Sequence, residues 1–185
     1  MRKSKVFIND FSPSQNDSIT FDTNVLIKLL YPVDYSGAYE AYSTLYDEIL
    51  KSKAMLIVSS IQISEFVNRC IRMQFDLYKK ENNDLELDFK SDYRNTNDYN
   101  ESMNAILDIV RYDILKNFTV LDDGFSKMNL DKLFLYGFSY DFNDAFLVEF
   151  AKINNAILVT HDSDFGNFNT KVKMVTANRK LLLFS

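Results

Sequence analysis

Five acidic residues stand where apolar runs give way to polar ones. Asp22 follows Ile19-Thr20-Phe21, Glu65 lies within an amphipathic helical pattern, Asp144 opens another, and Asp162 and Asp164 follow Ala156-Ile157-Leu158-Val159-Thr160. Carboxylates crowded into one place repel and raise one another's pKa, so a cluster of them without a cation is a poor structural element. Mg2+ or Mn2+ resolves the conflict. These hard ions take oxygen ligands and retain waters, leaving positions for a phosphate oxygen and an attacking water. Where their strands are neighbours, Asp22 and the Asp162/Asp164 pair converge across one cleft, with Glu65 and Asp144 completing the set. His161 is the sole histidine, and without a second His or Cys partner no zinc site is indicated.

The elements that must position these acids alternate between strand and helix. Ser18–Phe21 reads as a strand running into a helix over 25–30 that Pro32 stops. A helix fits 37–52, where Ala38, Tyr42, Leu45, Tyr46 and Ile49 recur at helical spacing. After a strand at 54–58, Ser59 with Gln62 three residues on is a capping box that starts a helix reaching about Lys80. The polar stretch 81–98 lacks clean periodicity and reads as a charged loop or insertion. Helical spacing resumes over 99–116, then a strand at 118–121, a helix near 124–136, a helix opened by Asp141-Phe142-Asn143-Asp144, a buried strand at 156–160, and two short final strands at 171–175 and 181–184. The alternation predicts a mostly parallel sheet covered on both faces, an α/β/α sandwich. In such sheets ligands bind beyond the carboxyl ends of the strands near a switch in strand order, where Asp22 and Asp162/Asp164 both fall.

The 185 residues, with 46 % hydrophobic content and few Gly and Pro, indicate one folded domain over 18–185 preceded by a loosely tied polar arm, 1–17. The single cysteine, Cys70, excludes an internal disulfide framework, and the reducing cytoplasm is the expected location. Met1–Lys5 is charged like the start of a signal peptide but no apolar core follows. No segment is long and apolar enough to span a membrane. The formal charge of −5 runs against the sign usual for nucleic-acid binders. A bound divalent cation would invert the local field that a phosphate meets.

The segments Asp22-Thr23-Asn24-Val25-Leu26, Glu65 in a downstream helix, Asp144-Ala145-Phe146-Leu147-Val148 and Leu158-Val159-Thr160-His161-Asp162-Ser163-Asp164-Phe165 together resemble the PIN-domain ribonuclease pattern, in order and in placement, from about residue 18 to 176. The resemblance implies a three-layer α/β/α fold and a Mg2+- or Mn2+-dependent endoribonuclease similar to the VapC-type toxins of toxin–antitoxin pairs. It maps Asp22, Glu65 and Asp144 to the family's first three acids and leaves the fourth open between Asp162 and Asp164. Thr23 and Asn24 match the polar pair after the first acid and, with Thr160, are expected to orient that carboxylate or a metal-bound water. The resemblance makes Asp22, Asp144, Asp162 and Asp164 the expected metal ligands and Glu65 a further catalytic acid. RNA is the implied substrate, an antitoxin protein the candidate partner and a homodimer the expected assembly. The 78 residues between Glu65 and Asp144 exceed the compact family pattern.

Each residue has a plainer reading. Asp22 taken alone is as readily a helix cap as a catalyst, Asp141 caps and Asp144 sits favourably at a helix start, and Asp162 and Asp164 could be ordinary turn acids. Their joint occurrence in this order favours the site. Arg69 and Arg72 either contact phosphates or pair with the acids, and Lys171, Lys173, Arg179 and Lys180 form a weak basic cluster. Two other functions compete: a catalytically silent PIN-like module that binds RNA or protein, and a haloacid-dehalogenase-type phosphohydrolase. The latter needs a second Asp two residues after the first, where Asn24 stands.

Overall fold

The computed structural model describes residues 4–31, 37–139 and 141–184, and the expected helix stop at Pro32 lies outside them. Six strands are present among these residues: β1 (Lys5–Phe7), β2 (Ser18–Phe21), β3 (Met55–Val58), β4 (Thr119–Val120), β5 (Ile157–Val159) and β6 (Met174–Thr176). They form one sheet in the order β1-β6-β5-β2-β3-β4, and every neighbouring pair is parallel. From β2 the chain steps outward to β3 and β4, then returns to the other side of β2 for β5 and β6. The reversal of direction falls between β2 and β5, which pair Ile19 with Ile157, Thr20 with Leu158 and Phe21 with Val159.

Both faces of the sheet are buried, and the period of two along each strand sorts the side chains between them. Ile19, Phe21, Leu56, Val58, Ile157, Val159 and Val175 join one core. Helices α1 (Thr23–Leu30), α2 (Gly37–Ser52) and α3 (Ser60–Glu81) pack there through Leu26, Tyr42, Ile49 and Phe66. Ile57, Leu158 and Met174 face the opposite way into a second core. This one is covered by α6 (Leu130–Ser139) and α7 (Phe142–Ile153) through Leu133, Phe146 and Phe150. The result is the three-layer α/β/α sandwich that the alternation of elements predicts. Among the described residues no helix is long and apolar enough to cross a membrane.

The remaining helices, α4 (Asn97–Ile109) and α5 (Leu115–Asn117), are joined by a wide turn over Val110–Ile114, close to the single helix expected over 99–116. The charged stretch 81–98 is more ordered than its composition indicates. Asp88 caps a wide helical turn over Phe89–Tyr93 by accepting from the backbone N–H groups of Lys90 and Ser91. That turn buries Phe89 and Tyr93 against Phe75, Tyr78 and Tyr99, with ring centroids 5.0–6.1 Å apart. Two apolar residues four apart are too few to register as a period, yet they anchor α4 back onto α3.

Three other expectations differ from the structure. The arm 1–17 is not merely tied loosely: its Lys5–Phe7 is β1, paired in register with Met174–Thr176, and Ile8 and Phe11 are buried behind it. With that edge of β6 taken, 181–184 adds no strand. It forms a short 3-10 turn, Leu181–Leu183, whose Leu181 is buried and whose Leu183 is exposed. The helix near 124–136 divides into a 3-10 turn, Phe125–Lys127, entered through Gly124 in the left-handed region, and the later α6.

Candidate active site

Asp22 ends β2 and caps α1. Its Oδ1 accepts the backbone N–H of Asn24 at 3.2 Å, and its Oδ2 accepts the Thr160 hydroxyl at 2.9 Å and the Asn24 side-chain amide at 3.3 Å. The Asp22 backbone N–H donates to the Val159 carbonyl at 2.9 Å, extending the β2–β5 pairing one residue past the strands. This acid is only 3 % exposed. The cap and the carboxylate at the switch point are therefore one residue, and the plainer reading and the chemical one coincide.

Thr160, fully buried at the end of β5, reaches in two directions. While its hydroxyl donates to Asp22, its oxygen accepts the backbone N–H of Asp162 at 3.0 Å. Asp162 Oδ1 in turn accepts the backbone N–H of Asp164 at 2.8 Å. Asp162 is half-buried and Asp164 is exposed in the turn that follows.

Glu65 arrives on α3, whose start is anchored twice. The capping box forms between Ser59 and Gln62. The Gln62 amide then donates to Phe21 O at 2.7 Å and to the Thr20 hydroxyl at 3.0 Å, fixing α3 to the end of β2. One turn later Glu65 Oε2 accepts the Thr23 hydroxyl at 3.1 Å, and Oε1 accepts from Arg69 at 3.5 Å. Asp144 comes from the first turn of α7, where Asp141 caps the helix by accepting the backbone N–H groups of Asn143 and Asp144.

The electrostatics show which acids act on one another. Burial, then the charges of Asp22, Asp141, Asp162 and Glu65, push the Asp144 carboxyl up to about 8 from an ordinary 3.8. Burial also raises Asp22, to about 6, with hydrogen bonds from Thr160 and Asn24 opposing the rise and Glu65 adding to it. Asp22, Asp141, Asp162 and Glu65 all act on Asp144, and Asp164 is not among the groups that shift either acid.

The expected four-carboxylate set of Asp22, Asp144, Asp162 and Asp164 does not close into a cage. Among the described residues no three His, Cys, Asp or Glu side chains converge as a ready-made metal site. The donor set nonetheless fits a hard cation. It is made of oxygen alone, and it holds buried carboxylates whose mutual repulsion a divalent charge relieves.

The two arginines have other engagements: Arg69 pairs with Glu65, and the Arg72 guanidinium lies 3.8 Å from the centre of the Phe89 ring. Sequence reasoning missed Gln62 as the tether of α3, Tyr42 as more than core, and Lys28. The Tyr42 hydroxyl accepts the Ala177 N–H, donates to Thr160 O at 3.0 Å, and lies 3.0 Å from His161 Nδ1. Only the amphipathic character of tyrosine at a core position hinted at this.

The all-parallel sheet, with Asp22 and Asp162 at its strand-order switch, defines the class as a three-layer α/β/α domain with acids at the carboxyl ends of its strands. The profile of the PIN domain matches residues 19–171. The chain belongs to the PIN-domain family, whose members are generally nucleases that use divalent metal ions. Comparison with curated proteins returned no match.

Proposed function

We propose that this protein is a Mg2+- or Mn2+-dependent endoribonuclease, and that it serves as the toxin of a toxin–antitoxin pair. The observation that carries the catalytic reading is the position of Asp144, half-buried and facing the charges of Asp22, Asp141, Asp162 and Glu65. Such a group is held largely protonated at neutral pH, a bound cation would favour its ionised form, and perturbed acids of this kind mark functional sites.

Asp22, Asp144 and Asp162 would hold the ion. When bound, it supplies charge neutralisation at the scissile phosphate and a water of lowered pKa. Thr160 and Asn24 keep both oxygens of Asp22 oriented, so that carboxylate needs no reorganisation. Glu65, held by Thr23 and Arg69, would accept a proton from the attacking water. Asp164, exposed beyond Asp162, steadies the last turn through its backbone N–H. Cleavage would follow as in-line displacement: the water oxygen bonds to phosphorus, one P–O bond to ribose breaks, and the leaving oxygen takes up a proton from solvent, giving two RNA fragments.

The test compares wild type and Asp144→Asn on structured and unstructured RNA, with and without Mg2+ or Mn2+. Metal-dependent cutting by the wild type alone supports the reading. RNA binding without cutting would replace it with the silent module. Growth arrest on expression, relieved by Asp144→Asn, tests the toxin role.

A further inference from the structure

We propose that Lys28, with Asn24, His161, Ser163 and Asn178, forms a subsite for the phosphate that flanks the scissile linkage of a nucleic-acid strand. This rests on the nuclease reading above. These residues and Asp162 line a shallow cavity of about 300 Å3, a size at the lower end of ligand-binding pockets. Asn24 and Asp162 belong both to this cavity and to the carboxylate site, so the two are continuous. A strand with one phosphate among the acids therefore has its next phosphate directed toward Lys28 or away from it along the sheet edge.

Charge separates these directions. Lys28 lies one helical turn after Asn24 on the same face of α1, about 6 Å farther along the axis. It makes no ion pair among the described residues, whereas Arg69 is bonded to Glu65 and Arg72 lies on Phe89. It shares the cavity wall with His161. A lysine serves phosphate as a point charge, and the amides of Asn24 and Asn178 and the Ser163 hydroxyl supply neutral donors around it.

The walls are built in advance. Asn178 donates from its side chain to the His161 carbonyl at 2.7 Å, while its own backbone N–H is held by the Thr176 hydroxyl at 2.9 Å and its Oδ1 accepts from the Lys180 N–H at 2.9 Å. Tyr42 holds the imidazole from behind. Such a braced wall orders little on binding, which favours a specific contact over a diffuse one.

The experiment uses the full chain in the Asp144→Asn background with Mn2+, titrated with a labelled single-stranded oligouridylate. Adding Lys28→Met, which keeps the aliphatic stem, is expected to weaken binding roughly three- to tenfold and to reduce the slope of log affinity against log salt by about one, with Lys28→Arg retaining both. A methylphosphonate placed at each linkage in turn should cost the Lys28 protein that same factor at one linkage only, and cost Lys28→Met nothing there. Unchanged affinity and slope in Lys28→Met, or equal losses at every linkage, overturns the subsite while leaving intact any Mn2+-dependent cutting by wild type. A wild type that neither binds nor cuts RNA overturns the nuclease reading and this subsite with it. Inorganic phosphate that displaces the oligonucleotide only from the Lys28 protein supports the anion site itself. Equal displacement from both proteins counts against it.

Discussion

The Thr160 hydroxyl donates to Asp22 across the β2–β5 boundary at 2.9 Å, joining the ends of two strands that lie 138 residues apart in the chain. It is the contact that converts parallel pairing into a site. Because Thr160 also receives the Asp162 N–H, one buried hydroxyl sets the positions of two acids at once.

Thr160→Val preserves shape and removes that hydroxyl. Asp22 Oδ2 then keeps only the Asn24 amide, so its pKa should rise further, since the Thr160 bond is the foremost influence holding it down. Leaving the buried acceptor and the Asp162 N–H short of a partner should cost about 1–3 kcal/mol at neutral pH, and Mn2+ affinity should fall about 10–100-fold. Urea denaturation and metal titration check both. Unchanged Mn2+ affinity would remove Thr160 from the support of the site.

Stability without metal should fall as pH rises. Asp144 and Asp22 titrate near about 8 and about 6 in the folded protein, against an ordinary 3.8. Between about pH 4 and 8 the unfolded chain binds fewer protons than the folded one, so this contribution is full at the acid end and is lost as the folded carboxyls ionise. Asp144→Asn should flatten the slope, and Mn2+ should raise the melting temperature of wild type more near pH 8 than near pH 5. Melting curves across this range decide it. Wild type and Asp144→Asn with parallel pH profiles would contradict the raised carboxyl.

Tyr93 is the pivot of the folded insertion. Fully buried, it donates to Asp98 at 2.6 Å and packs among the rings of Phe75, Tyr78, Phe89 and Tyr99. Tyr93→Ala should destabilise by about 3–5 kcal/mol through the cavity it leaves. The acids belong to other elements, so the variant should bind Mn2+ with wild-type affinity at low temperature. Chemical denaturation and metal titration measure the two effects, and a loss of metal binding in the folded variant would tie the insertion to the site.

Legibility in the sequence followed how local each signal was. The capping box at Ser59 and Gln62 and the apolar runs of β2, β3 and β5 are short-range patterns, and they appear in the structure nearly where they were expected. The strand at Lys5–Phe7 was hidden because three residues in a polar arm carry too little pattern, and what makes them a strand is the free edge of β6. The order of the acids was readable, but the difference between Asp162 and Asp164 was not. It arises from the Thr160 hydroxyl, which engages the N–H two residues on and leaves Asp164 to solvent. Lys28 gave no signal, since a single lysine in a helix ordinarily marks a solvated face. Its position beside His161 comes from the adjacency of β2 and β5.

The homodimer implied by the family resemblance has a testable surface in α6. Leu130, Phe134, Leu135 and Phe138 are exposed along it, Phe138 at 95 %, with Phe142 exposed just beyond. Together they present apolar area on the order of several hundred Å2, as large as the greatest patch of a typical monomer. Doubled by a two-fold axis, that area approaches what a stable interface buries, and an isologous contact needs only a self-complementary face. Phe138→Ser removes the most exposed ring and should leave the stability of an isolated subunit within about 0.5 kcal/mol. It should weaken self-association by about 2 kcal/mol or more, roughly thirtyfold in Kd, if the ring is central to the contact. Sedimentation velocity over a concentration series reads this directly. A wild type that stays monomeric at high micromolar concentration would exclude a second copy from this face and leave α6 for a different chain.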